Sequence, residues 1–333
     1  MNDLVLVTGA TGFVGSAVMR NLLGAGYRVR TLVRETSQRD NLAGLDVDIR
    51  TGDVRNVDSL VAAMHGCRGV FHVAADYRLW TPDACAVAAM YASNVVGSRN
   101  VMRAAHQTDV ERVVYTSSVA TLGLHADGTP ADEDVPVSLD AMVGHYKRSK
   151  YLAERAVIEL AAEGQQDVVI VHPAAPVGPR DIKPTPTGRM VLDAASGRMP
   201  VYVDTGLDIV HVDDVAEGHR LAYEKGTHGR HYILGGDNLS LRDILIEVAA
   251  ITGRHRPWMR VPHALVMPSA YMAEAWARVS RREPSVTVTG ARLARKHMYF
   301  SHQRATQELD YRPRPARLAL EDAICWFFDN GRL

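Results

Sequence analysis

The chain has few cysteines, and those present are scattered. Its 333 residues include only 3 of them, Cys67, Cys85 and Cys325, and no two form a C-x-x-C pair. An odd, scattered set argues against a disulfide framework or a zinc site and favours buried thiols in a reducing compartment. We therefore predict no disulfide, no metal site and a cytosolic protein.

Net charge and long apolar runs are also missing. Lys and Arg together number 38, as do Asp and Glu, so no net basic field attracts nucleic acid. No apolar stretch approaches the length of a membrane span, and the first predicted strand begins by residue 4, which leaves no room for a signal peptide. We expect a cytoplasmic protein with no integral membrane segment and no nucleic-acid partner.

Two modest basic clusters depart from this balance, R-V-S-R-R at residues 278–282 and R-L-A-R-K at residues 292–296. Solvated helix faces are the preferred interpretation. Contact with phosphate or with an anionic lipid surface is the alternative.

Short apolar strands alternate with longer helical patterns over the first 175 residues. Predicted strands cover residues 4–7, 29–33, 47–50, 69–73, 112–117 and 168–172, and helical patterns cover 16–26, 58–65, 84–107 and 141–163. This alternation predicts an α/β fold with a doubly wound parallel sheet and a ligand crevice at the carboxyl ends of its strands. After Pro173 the pattern is less regular, and residues 176–333 are predicted to form a smaller, partly interleaved substrate-binding lobe.

A glycine-rich stretch, T-G-A-T-G-F-V-G at residues 8–15, joins the first predicted strand to the first helix. Its glycines are spaced G-x-x-G-x-x-G, so the backbone can turn tightly and approach a pyrophosphate at the helix N-terminus. A glycine triplet alone also suits an ordinary turn, but at this junction it predicts dinucleotide binding. The expected contacts are Gly9, Thr11, Gly12, Phe13, Val14 and Gly15.

Tyr146 and Lys150 lie four residues apart at the start of a predicted helix and therefore share one helical face. A tyrosine with a pKa of about 10 is a poor acid–base at neutral pH, and a nearby ammonium group would lower that pKa. The alternative is a surface pair with this spacing by chance.

Hydroxyl residues end the fifth predicted strand, in V-Y-T-S-S-V-A-T at residues 114–121, and should point into the crevice. In this order, T-G-A-T-G-F-V-G, T-S-S and Y-K-R-S-K resemble the extended short-chain dehydrogenase/reductases, above all the dihydroflavonol 4-reductase-like branch. More particular stretches, such as H-V-A-A-D-Y-R-L-W, resemble the group labelled hopanoid-associated sugar epimerases. The resemblance covers essentially the whole chain.

The resemblance implies a Rossmann-type domain over residues 1–175, a nicotinamide cofactor and a Ser–Tyr–Lys catalytic set. Tyr146 would be the acid–base, Lys150 its pKa-lowering and ribose-binding partner, and Ser118, rather than Ser117, the hydroxyl that orients the carbonyl. Asn94 would support the site from an adjacent helix, although it could instead cap or interrupt that helix. Further cofactor contacts are implied for Asp53, Val54, Ala74, Ala75 and Pro173.

The end of the second strand decides the expected cofactor. An acidic residue there holds the ribose 2′-hydroxyl of NAD, whereas an arginine suits the 2′-phosphate of NADP. Apolar Val33 is followed by Arg34, with Arg39 close behind, although Glu35 is a signal in the other direction. We predict NADP, with NAD as the alternative.

Ala175 stands where sugar-nucleotide epimerases commonly have an asparagine before the P-x-G turn, so that amide donor is missing. Candidate substrate contacts are the pocket residues Tyr77, Trp80 and Leu122, the supporting Asn94, and Arg189 for an anionic group. We predict an NADP-dependent oxidoreductase acting on a carbonyl or secondary alcohol of a small, apolar or lipid-related substrate. The alternatives are an epimerase or dehydratase that retains its cofactor and a non-catalytic nucleotide-binding sensor; a homodimer is possible.

Overall fold

The computed structural model describes residues 3–280, 284 and 286–333. Its strands are β1 (Leu4–Thr8), β2 (Arg28–Val33), β3 (Asp48–Thr51), β4 (Gly69–His72), β5 (Arg112–Thr116), β6 (Asp167–Pro173), β7 (Ala175–Val177), β8 (Val201–Tyr202), β9 (Gly206–His211), β10 (His231–Leu234), β11 (Asp237–Ser240), β12 (Met259–Arg260) and β13 (His297–Met298). Its α-helices are α1 (Phe13–Gly24), α2 (Val57–Met64), α3 (Ala84–Tyr91), α4 (Gly97–Gln107), α5 (Gly144–Gly164), α6 (Pro186–Ala195), α7 (Val212–Lys225), α8 (Leu241–Thr252), α9 (His263–Ser280), α10 (Val288–Leu293), α11 (Gln303–Leu309) and α12 (Ala316–Asp329).

Seven strands form one parallel sheet in the order β3-β2-β1-β4-β5-β6-β10. The chain reverses its direction of travel across the sheet between β1 and β4, and such a switch point opens a crevice at the carboxyl ends of the strands. The predicted doubly wound α/β fold is therefore confirmed, and its strands begin and end within one or two residues of the predicted positions.

The two faces of this sheet bury separate apolar clusters because successive strand residues point to opposite sides. Val5 and Val7 pack in the cluster that contains residues of α1 and α7, whereas Leu6 packs in the cluster that contains residues of α2, α4 and α5. Helices thus cover both faces, which explains why the strands are apolar throughout rather than alternating.

A second sheet is centred on β9, which pairs in parallel with β7 and β13 and antiparallel with β11. Helices α6, α8 and α12 pack together with this sheet in one apolar cluster. The chain beyond residue 175 also returns to the first sheet, where it contributes β10 and the helix α7 that packs on α1. The boundary between the two predicted lobes stays a prediction.

Two local predictions need correction. The helical pattern at residues 84–107 contains a π-helical turn at Ala92–Val96 between α3 and α4. Cys67 is buried as expected, but Cys85 and Cys325 are exposed. Within the described residues, no helix is both long and apolar enough to cross a bilayer.

Candidate active site

The glycine-rich loop between β1 and α1 packs so closely against neighbouring backbone that Gly9 and Gly15 have no room for a side chain. Gly9 has a φ of +76°, and a Cβ there would lie 2.7 Å from the Ala74 backbone. A Cβ on Gly15 would lie 2.2 Å from the carbonyl oxygen of Gly9, so α1 begins directly against the turn. The first turn of α1 contains no acidic residue, which leaves its N–H groups and positive dipole end free for an anion. This cradle fits the pyrophosphate of a dinucleotide.

Three guanidinium groups lie near the ends of β2 and β3. Val33 is buried at the end of β2, and Arg34 and Arg39 are exposed beyond it. Arg55, which the sequence analysis did not single out, donates to both carboxylate oxygens of Asp53, at 3.0 and 2.7 Å. These hydrogen bonds outweigh burial and hold the pKa of Asp53 below its usual range, with a smaller contribution from the charge of Arg34.

Asp53 therefore has a cationic partner within the protein besides the cofactor contact that the resemblance implies for it. The neighbouring Val54 packs against the start of α4, and its carbonyl oxygen accepts a hydrogen bond of 3.1 Å from Asn100. Ala74 and Ala75 follow β4, and the Ala74 amide donates to the Thr8 hydroxyl at 3.3 Å. Small side chains at these positions leave the edge of the crevice open.

Ser118 and Tyr146 meet although they are far apart in the sequence. Ser118 follows β5 and begins the 3₁₀ turn Val119–Thr121, where its hydroxyl accepts a hydrogen bond of 3.1 Å from the Ala120 amide. Tyr146 lies in the first turn of α5, hydrogen-bonded to the Ser118 side chain. Burial raises the pKa of Tyr146 to about 12, and the hydrogen bond from Ser118 offsets part of this rise.

Lys150 is one helical turn further along α5 and is 3% exposed. Its ammonium group donates to the Thr116 carbonyl at 2.7 Å and lies 4.9 Å from the centre of the Tyr115 ring. Burial lowers the pKa of Lys150 to about 8, against the raising effect of Glu154. Burial dominates the pKa of the phenol, and the Lys150 ammonium group is directed at a carbonyl. The expected lowering of the Tyr146 pKa by Lys150 stays a prediction.

A hydrogen-bonded network behind Ser118 was not predicted. The buried carboxylate of Glu154 accepts hydrogen bonds from the Ser117 and Thr121 hydroxyls. His172 donates from Nδ1 to the Ser118 carbonyl at 3.1 Å, and its Nε2 lies 2.9 Å from Nδ1 of His231. The i, i+4, i+8 spacing of Tyr146, Lys150 and Glu154 was a signal that could have identified Glu154.

Glu154, His172 and His231 also place one ligand atom each within 4.8 Å of the others, the spacing of a metal site. Burial lowers the pKa of both histidines to about 4, so both are neutral at pH 7. The hydrogen bonds just described account for the positions of these side chains without an ion. The expectation that the chain has no metal site stays a prediction.

Asn94 lies in the π-helical turn and is 2% exposed. Its amide oxygen accepts from the Asp76 amide at 2.7 Å, and its amide nitrogen donates to Ser149 at 2.9 Å. Asn94 therefore ties the loop after β4 to α5 beside Lys150. Its amide group is engaged by protein partners, and its role in supporting the site or contacting a substrate stays a prediction.

A cavity of about 250 Å³ lies beside His145, the residue that precedes Tyr146. Its walls are formed by the loop after β4, the start of α5, α9 and α10, through Arg78, Leu79, Trp80, Thr81, His145, Glu274 and Thr289. Tyr77 from the same loop is 42% exposed, and its ring centre lies 4.4 Å from that of Tyr146. Trp80 thus lines a cavity and Tyr77 packs on the phenol, and their contact with a substrate stays a prediction.

Other candidates lie elsewhere. Leu122 is a core residue rather than a pocket residue, because it packs with Ala131, Ile233 and Phe300. Arg189, the candidate contact for an anionic group, is an exposed residue of α6. Pro173 ends β6 and is buried.

Comparisons with known proteins agree with this geometry. A "Putative dihydroflavonol 4-reductase" from Synechocystis sp. is 44% identical and covers 99% of this chain and 96% of its own. "Sterol demethylase protein B" from Methylococcus capsulatus is 35% identical over 98% of this chain and 99% of its own. A solved structure titled "Crystal structure of gox2253" covers all of both chains at 52% identity, with a TM-score of 0.89. A model of the NAD dependent epimerase/dehydratase family matches residues 5–235. The chain belongs to this family of NAD(P)-binding enzymes.

Proposed function

We propose that this protein is an NADP-dependent reductase of a carbonyl group in a small, apolar or lipid-related molecule. The observation that carries the proposal is the meeting of Ser118, Tyr146 and Lys150 beside the glycine-rich loop. These residues come from the end of β5 and the start of α5, and a scaffold protein has no need of this arrangement.

Each residue has a role that follows from its surroundings. The Ser118 hydroxyl binds and orients the substrate carbonyl oxygen, and Tyr146 donates the proton to that oxygen. Since burial raises the pKa of Tyr146 to about 12, the phenol is protonated at neutral pH and carries the proton that the substrate oxygen receives. Lys150 supplies a buried cation for the ribose hydroxyls, and Asn94 positions α5. The cofactor, when bound, supplies the hydride.

The preference for NADP is supported by charge near the end of β2. Val33 provides no carboxylate for a ribose 2′-hydroxyl, whereas Arg34 and Arg39 are exposed beyond it and Arg55 lies beside Asp53. Guanidinium groups suit a 2′-phosphate because they form charge-assisted, often bidentate hydrogen bonds. The exposed Glu35 and the carboxylate of Asp53 are anionic groups that would oppose the phosphate.

The substrate class is supported by apolar residues of the loop after β4 and by the missing side-chain amide at Ala175. Leu79 and Trp80 line the cavity together with polar side chains, and the Tyr77 ring lies against that of Tyr146. The name of one relative refers to sterol demethylation and that of another to a flavonoid, and both name polycyclic compounds. Apolar polycyclic ketones are therefore the class to test first.

The direct experiment measures NADPH consumption by the purified protein with a panel of soluble and lipid-derived ketones. We expect turnover with at least one polycyclic ketone and none without a carbonyl compound. Stereochemical inversion of a nucleotide sugar without net NADPH consumption would overturn the reductase assignment in favour of an epimerase. Cofactor binding without any turnover would favour the sensor.

A further inference from the structure

Helix α9 has its large side chains on the outside. Ala270 and Ala277 are buried, at 0% and 2% exposure. On the opposite face Leu265, Met272 and Trp276 are 64%, 68% and 71% exposed. These three residues share one side of the helix because they are spaced by seven and four positions. The helix thus packs through alanine and presents an apolar face outward.

This face is unusual for the chain. Among the described residues, half of the large hydrophobic side chains that are exposed lie between positions 258 and 279. They are Trp258, Met259, Leu265, Tyr271, Met272, Trp276 and Val279. The described side chains exposed on α9 carry no charge. Exposed apolar side chains clustered on one helix face, as Leu265, Met272 and Trp276 are, mark an interaction site.

The net charge of the residues around α9 indicates which kind of partner would bind this face. Residues 254–296 contain nine Lys and Arg and two Asp and Glu, a net charge of +7 in a chain whose total is zero. Arg254, Arg256, Arg292 and Arg295 are exposed, whereas Arg281, Arg282 and the Arg278 side chain lie outside the described part. A second copy of the chain on this face would bring two basic surfaces together, at a cost in repulsion.

We infer that α9 and its basic surroundings dock on the surface of an anionic lipid bilayer. An interfacial helix combines an uncharged face bearing Trp, Met and Leu with flanking arginines, which is the composition found here. Tryptophan and tyrosine suit the headgroup region because their rings are apolar while one edge forms hydrogen bonds. The docking is peripheral, because only the exposed face of α9 would enter the lipid while Ala270 and Ala277 stay buried against the protein.

The docking face and the substrate cavity belong to the same helix. Glu274 lines the cavity beside Trp80 and His145, and its carboxylate accepts a hydrogen bond of 2.7 Å from the Val288 amide at the start of α10. Docking through α9 would therefore place the mouth of this cavity close to the lipid. The inference itself does not rest on the proposed reaction, because attachment to a bilayer needs neither cofactor nor substrate.

The test is flotation of the full chain with vesicles, either of phosphatidylcholine alone or of phosphatidylcholine mixed with anionic phosphatidylglycerol. We expect binding to the anionic vesicles that weakens as salt is added. The double variant Met272→Gln, Trp276→Gln should bind these vesicles at least about tenfold more weakly than wild type, since two large apolar contacts with the lipid are lost. Phe328→Gln on α12 is the matched control, because Phe328 is 70% exposed outside this region.

Unchanged melting temperature and unchanged turnover of a soluble ketone in the double variant would show that its fold and site are intact. Equal vesicle binding by wild type and double variant, or no binding by wild type, would overturn the inference. So would a dimer in sedimentation velocity that the double variant abolishes, because a second copy would then cover α9. Failure to reduce any ketone would leave the flotation result unaffected, so the two proposals fail separately.

Discussion

The rings of Tyr77 and Tyr146 lie 4.4 Å apart between their centres and are inclined by 42°. Tyr77 comes from the loop after β4 and Tyr146 from the first turn of α5. Their contact links the loop that lines the candidate substrate cavity to the Tyr146 phenol. A substrate seated against Tyr77 would therefore have its reacting group beside the Tyr146 hydroxyl.

Tyr146→Phe tests the proton donor. Phenylalanine keeps the ring and its contact with Tyr77 but has no transferable proton, so turnover should fall by a factor on the order of 10² or more. The affinity for NADPH should change little, which fluorescence titration can check. Turnover close to that of wild type with any genuine substrate would contradict the assigned mechanism.

Arg34→Ala tests the cofactor preference. Loss of a charge-assisted contact to the 2′-phosphate should cost roughly 1.5–3 kcal/mol, which weakens NADPH binding about tenfold or more. NADH binding should be nearly unaffected. Arg28→Ala, an exposed arginine at the other end of β2, is the control and should leave both affinities unchanged. An equal loss for both cofactors, or a wild-type preference for NADH, would count against NADP.

Calorimetry with UDP and UDP-glucose tests the substrate class on protein already saturated with NADP. Burying a diphosphate requires several hydrogen-bond donors, but Ala175 has no side-chain amide to donate. Among the arginines that follow Ala175 in the chain, Arg180 forms an ion pair with Asp213 at 3.2 Å, and Arg189 is exposed on α6. We expect weak or absent binding. Micromolar affinity for either compound would favour the epimerase.

Asp208→Asn tests a buried carboxyl group on β9. Asp208 is 2% exposed and accepts a hydrogen bond of 2.6 Å from the Gly236 amide, and burial raises its pKa to about 7. An unfolded chain ionises this group near pH 4. The stability that Asp208 contributes is therefore complete below about pH 4 and is lost as the pH rises through about 7.

Asparagine at position 208 keeps an oxygen for the Gly236 amide but carries no charge. Thermal melts should therefore show a gain in melting temperature over wild type that grows between about pH 4 and about pH 7 and levels off above. Asp329→Asn, at the exposed end of α12, is the control and should show no such trend. A difference in melting temperature between Asp208→Asn and wild type that stays the same at all pH values would contradict this expectation. It would mean that the folded protein accommodates the ionised carboxylate.

Local sequence was sufficient for the sheet and for the nucleotide cradle. Periodic apolar residues separate strands from helices without reference to the rest of the chain. Gly9 and Gly15 are required by backbone geometry that any side chain would obstruct. The residues Tyr146 and Lys150 share a helix, so their spacing alone places them on one face.

Contacts between distant segments were beyond the reach of the sequence. The Lys150 ammonium group donates to the Thr116 carbonyl, and His172 donates to the Ser118 carbonyl. Each such outcome depends on which of several competing partners comes within hydrogen-bonding distance after packing. The pKa of a phenol likewise depends on burial, which only the folded chain defines.

For helix α9, too, the sequence determines some properties and the tertiary structure others. Its sequence contains enough alanine, methionine and tryptophan to predict a helix with an apolar surface, and the excess of arginine around it is visible in composition alone. Which apolar side faces the protein was decided by tertiary structure. Ala270 and Ala277 are small enough for close packing, so the larger Met272 and Trp276 were left facing outward.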